Sequence, residues 1–85
     1  MISWDEEKNK LLKLKRNISF EEIADIIIEE RHLDILKHPT RENQKIFIVE
    51  LKQYIHAVPF VVDDNDNIFL KTAFPSRKLH KQYRG

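Results

Sequence analysis

Eighty-five residues, 41% hydrophobic and 34% charged, provide for one domain with a modest core and are too apolar for a disordered chain. The absence of cysteine excludes disulfides and thiolate chemistry, and no apolar run approaches the roughly 20 residues of a membrane span. The formal charge of +1 conceals a gradient: residues 1–30 hold eight acids against five bases, 31–70 six against five, and 71–85 none against five.

In chain order, two serines mark helix starts. Ser3-Trp4-Asp5-Glu6 and Ser19-Phe20-Glu21-Glu22 both fit the capping box, in which the serine and the glutamate three places on satisfy each other's backbone donors. The first helix is predicted to run to about Arg16, with Trp4, Leu11, Leu14 and Ile18 near one face. The second runs from Phe20 to about Glu30 and buries Phe20, Ile23, Ala24, Ile27 and Ile28, with Ile18 and Ile23 as a hydrophobic staple. Acidic residues in both first turns suit the positive end of the helix dipole.

The period then changes. Leu33–Leu36 reads as a short strand, and Ile46–Leu51, Tyr54–Val62 and Ile68–Phe74 as an antiparallel meander turned at Lys52-Gln53 and at residues 63–67. Pro59 cannot donate to a ladder, so the second strand of the meander must be bulged or open on one side. Trp4, Phe47, Phe60 and Phe69 fit core positions, although an aromatic left exposed on the sheet could stack a base. Ser76 is placed to cap a last short helix on which Leu79 and Tyr83 share a face. The expected fold is α+β: two helices on a small antiparallel sheet, then a basic helix, all in a single domain spanning residues 1–85.

Chemical motifs are few. His32, His38, His56 and His80 have no metal-ligand spacing, the single glycine rules out phosphate loops, and Asp64-Asn65-Asp66-Asn67 lacks the glycine and final glutamate of a calcium loop. No cofactor or metal is expected. The basic segment is different. Cleaving an RNA phosphodiester without metal takes a base for the 2′-hydroxyl, a cation for the phosphorane and an acid for the leaving 5′-oxygen. Arg77 suits the cation role, and His80, Lys81 and Tyr83 suit the proton transfers if a dense positive cluster moves their pKa values toward neutrality. Lys71, Lys78 and Arg84 are the remaining candidate RNA contacts. Such a run is also compatible with a solvated tail, or with a basic helix that grips nucleic acid or an acidic partner without catalysis.

The opening Trp4-Asp5-Glu6-Glu7-Lys8-Asn9, the Ser19-Phe20-Glu21-Glu22-Ile23-Ala24 block, three strands and a final Ser76-Arg77-Lys78 resemble the BrnT toxins, RelE-like ribonucleases of bacterial type II toxin–antitoxin systems. The resemblance implies an RNA-cleaving toxin that inhibits translation, and a chain without cysteine has the cytoplasm as its default location. The resemblance also implies neutralisation by a small antitoxin, often of ribbon-helix-helix type, with DNA reached only through that complex and no membrane partner. Trp4, Asp5, Ser19, Phe20 and Glu21 match positions that are mainly structural, and Arg77 and Lys78 match the basic pair after the last strand. Two departures stand out. Lys15, Arg16 and Asn17 replace the usual Lys-His-Gly, and Gln82 and Tyr83 stand where the family has a glutamate in a longer Arg-rich helix. A carboxylate general base is therefore not carried over.

Overall fold

The computed structural model describes residues 1–84 as β1 (Ile2–Trp4), α1 (Glu6–Arg16), α2 (Phe20–Ile28), β2 (Asp34–Lys37), β3 (Gln44–Leu51), β4 (Tyr54–Val62), β5 (Ile68–Leu70), β6 (Phe74–Pro75) and α3 (Arg77–Arg84). The strands form one sheet in the order β1-β5-β4-β3-β2, with β6 paired to β4 beyond the end of β5. The fold is α+β, as expected, but the sheet is mixed, because β1 runs parallel to β5. Ser3 lies in that strand and does not cap α1. Asp5 does, accepting the Glu7 backbone N–H at 2.8 Å.

At the second capping site the serine half of the box is present, and no bond from the Ser19 N–H to the Glu22 side chain is found among the described residues. The Ser19 side chain accepts from the Glu22 N–H at 3.2 Å, and both staple residues, Ile18 and Ile23, are buried. The apolar stripes need correction. On α1 the buried side chains are Asn9 and Leu12, while Leu11 and Leu14 are 47% and 82% exposed. Asn9 is buried because it is fully engaged. Its Oδ1 accepts the Phe20 N–H at 2.8 Å, and its Nδ2 donates to Glu21 Oε1 at 2.9 Å, so it joins α1 to the start of α2. On α2, Ile26 is buried and Ile28 is 69% exposed.

The β3–β4 hairpin turns on Lys52 and Gln53, which both take positive φ (54° and 65°), the twist that matches a two-residue hairpin. At the next turn Asp63 accepts from the backbone of Asn65 and Asn67, closing the polar loop expected there. Pro59 produces a bulge in the neighbouring strand. Phe60 pairs with Leu70 and Ala57 with Phe74, so Lys71, Thr72 and Ala73 lie opposite only Val58 and Pro59. The Pro59 carbonyl still accepts, from the Lys71 N–H at 2.8 Å. The predicted third strand is thereby split into β5 and β6.

Pleat alternation gives the sheet two different faces. One packs Phe47, Val49, Leu51, Val58, Phe60 and Leu70 against α1 and α2 as the main core. The other carries Ile48, Ile55 and Ala57, which are buried outside that cluster, together with Asp34 and Glu50. Phe69 pairs with Val61 and belongs to this second face, 37% exposed, not to the core. No helix among the described residues is long and apolar enough to cross a membrane.

His56 sits on the main-core face of β4, 5% exposed, with Nδ1 2.9 Å from the Tyr54 carbonyl. Burial holds its pKa below 6.5, and the nearby Arg16 charge adds to this. The unfolded chain protonates this ring first as pH falls, so stability is full above 6.5 and declines below it until the native value is passed. Urea midpoints measured across that window are expected to fall for the wild type and to flatten in His56→Gln. An unchanged profile in the variant would assign the acid sensitivity to other groups.

Candidate nucleic-acid interface

Helix α3 begins where Pro75 ends the sheet. Ser76 donates its N–H to the Ile55 carbonyl at 3.1 Å and accepts the Leu79 N–H on Oγ at 3.2 Å, so the cap read from the sequence is present. Three side chains then fasten the helix. His80 Nδ1 accepts the Ile55 N–H at 3.2 Å, and its ring stacks on Tyr54 with centroids 4.1 Å apart and planes 4° from parallel. Tyr83 donates its hydroxyl to Asp34 Oδ2 at 2.7 Å, and Arg84 pairs with Glu50 at 3.4 Å. Leu79, His80 and Tyr83 are half-buried in this arrangement.

The basic segment therefore divides in two. His80, Tyr83 and Arg84 contact β4, β2 and β3, Arg84 from an exposed position, while Arg77, Lys78 and Lys81 are exposed and make no such contact. None of those three forms an ion pair among the described residues. The electrostatics of Tyr83 run opposite to expectation. Its hydrogen bond to Asp34 raises the phenol above 10.0, and the same bond holds the Asp34 carboxyl below 3.8. A carboxylate neighbour outweighs the surrounding cations because it is in direct contact and they are not. With Nδ1 accepting, the His80 ring carries its proton on Nε2.

Lys71 lies elsewhere in the chain but on related ground. It occupies the bulge opposite Pro59, and its Nζ is 6.0 Å from the centroid of the Phe69 ring. Phe69 and Phe74 pair with Val61 and Ala57, which project from the same face of β4, and they are 37% and 38% exposed. Exposed aromatics beside exposed cations offer the two contacts that single-stranded nucleic acid uses, base stacking and phosphate attraction. Phe74, Asp34, Glu50 and Tyr54 were missed as parts of this surface. The Phe74-Pro75 pair did mark a strand end, but only the sheet pairing shows which way Phe74 points.

Among the described residues no group of three or more histidine, aspartate or glutamate side chains is placed to hold a metal ion. Compared with known proteins, the chain matches no family model, no curated protein and no solved structure.

Proposed function

We propose that this chain is the toxin of a bacterial type II toxin–antitoxin system, BrnT-like and of RelE-like arrangement, acting on RNA in the cytoplasm without a metal. The observation that carries the reading is the division of α3: Arg77, Lys78 and Lys81 are left in solvent without acidic partners while His80, Tyr83 and Arg84 secure the helix. The residues that carry the resemblance also work as one unit. Asp5 and Ser19 cap the two helices, Trp4 stacks on Phe20 at 5.8 Å, and Asn9 binds Phe20 and Glu21. Asn17, in place of the usual glycine, keeps the left-handed conformation (φ 56°) that ends α1.

In this reading Arg77 clamps the scissile phosphate and Lys78 and Lys71 hold flanking phosphates. His80, neutral because Nδ1 accepts the Ile55 N–H, presents Nε2–H as a hydrogen bond to the leaving oxygen without surrendering that proton, and Lys81 is the remaining candidate for the proton transfers. Tyr83, with its raised phenol, contributes to anchoring more than to proton transfer. A small antitoxin neutralises the protein by covering the cationic face.

A second reading has its own observation. Because His80 Nδ1 and the Tyr83 hydroxyl are both spent on holding α3, the same surface suits a module that binds nucleic acid without cutting it. Incubation with RNA in chelator separates the two. Cleavage by the wild type that falls at least about a hundredfold in Arg77→Ala, the scale of one lost transition-state donor, supports the ribonuclease. Binding without cleavage supports the module, and neither binding nor cleavage overturns both.

A further inference from the structure

A second cationic site lies away from α3. A groove of about 170 Å³ runs between α1 and the bulge that follows β5, lined by Lys8, Leu11, Leu12, Lys15, Arg16 and Thr72. Its composition is one-sided: three cations, a hydroxyl, two leucines and no carboxylate. Lys8, Lys15 and Arg16 enter no ion pair among the described residues, whereas Lys10 and Lys13 on the same helix pair with Glu7 and Glu21. Cations in the last turn of a helix commonly serve the dipole, which accounts for Lys15 and Arg16 singly. It does not account for Lys8 near the other end, nor for Thr72.

Thr72 is there because of Pro59. The proline's partner strand holds one extra residue, so Leu70 and Ala73 both pack into the main core while Thr72 is turned to the α1 side. A bulge that brings Thr72 to the lining of a groove of unpaired cations supplies the donor types an oxyanion needs: ammonium and guanidinium for charge, a hydroxyl for direction.

We infer that this groove binds a phosphate group, held by Lys8, Lys15 and Arg16 with a hydrogen bond from Thr72. The phosphate's source in RNA rests on the reading given above; the groove's anion affinity does not. Lys71 and Thr72 are consecutive, so one bulge supplies a residue to each cationic site, and a strand of RNA on the Phe69 side has a second phosphate position across the bulge.

The test uses amide NMR shifts and RNA affinity against salt for the wild type, Lys15→Ala/Arg16→Ala and Lys78→Ala/Lys81→Ala. All four side chains are exposed, and matched melting curves verify that each variant is folded. Inorganic phosphate is expected to shift the Thr72 amide in the wild type and in Lys78→Ala/Lys81→Ala, but not in Lys15→Ala/Arg16→Ala. The RNA salt slope is expected to shrink by about 0.7 in Lys15→Ala/Arg16→Ala, the amount for the one phosphate that the groove no longer neutralises. Phosphate binding without RNA binding keeps the groove, assigns it a free phosphate or phosphorylated small molecule, and removes the RNA reading. A Thr72 amide that moves with neither phosphate nor RNA overturns the groove, whatever α3 does.

Discussion

Phe20→Ala is expected to destabilise the protein by about 3–5 kcal/mol, the usual cost of emptying a fully buried aromatic site. For 85 residues a stability of roughly 4–13 kcal/mol is ordinary, so this one change removes a large share of it. The site has little means to collapse. Phe20 is 0% exposed, its ring stacks on Trp4, and its backbone N–H is fixed by the buried Asn9. Trp4 is the only tryptophan, so its fluorescence reports both the urea transition and the removal of its stacking partner. A loss below about 1 kcal/mol would show that α1 and β1 close over the gap, and that Phe20 is not the centre of the core.

What could be read from the sequence was mostly local. Ser19 and Glu22, three residues apart, signal a cap through atoms that meet within one turn, and the structure has that cap. The bounds of β4, from Tyr54 to Val62, follow from β-branched and aromatic residues between two polar turns. Asn9 was illegible because counting apolar residues cannot find a buried amide whose partners lie 11 and 12 positions away. β1 was hidden by its length of three residues and by its parallel pairing to a strand more than 60 residues on, which left Ser3 free to imitate a cap. Phe69 was misplaced by one step of the pleat, since its neighbours Ile68 and Leu70 do face the core side.

The basic segment shows the same limit. Its composition identified Arg77, Lys78, His80, Lys81, Tyr83 and Arg84, but residue type alone could not sort anchors from exposed cations. That sorting depends on Asp34, 49 residues from Tyr83, and on Ile55 and Glu50 in the hairpin. Of the cations on α1, Lys15 and Arg16 have a local explanation at the C-terminal end of the helix, and nothing local marks Lys8. Their alignment with Thr72 appears only when Pro59 and the bulge opposite it are placed in the sheet.

On the proposed toxin reading, charge reversal at Arg77 and Lys78 is expected to weaken RNA binding and antitoxin binding together. Both residues are exposed on α3, so the fold tolerates the change, and the anchors at His80, Tyr83 and Arg84 are left intact. Steering by a cationic surface accelerates association by about 10–1,000-fold, and reversing two of its charges turns attraction into repulsion for a phosphate chain and for an acidic partner alike. Association rates at low salt are therefore expected to fall by about that factor for both ligands and to converge on the wild type as salt is raised. Dissociation rates should change less wherever the partner also packs on Phe69 and Phe74, because apolar contacts are not screened. The decisive comparison is toxicity against antitoxin affinity in the same variant. If toxicity disappears while a co-expressed antitoxin still binds as tightly as before, the antitoxin holds another surface, and neutralisation by covering the cations of α3 is wrong. If both fall together, and Lys15→Ala/Arg16→Ala lowers RNA affinity without touching the antitoxin, the partner covers α3 while the groove on α1 stays open to phosphate.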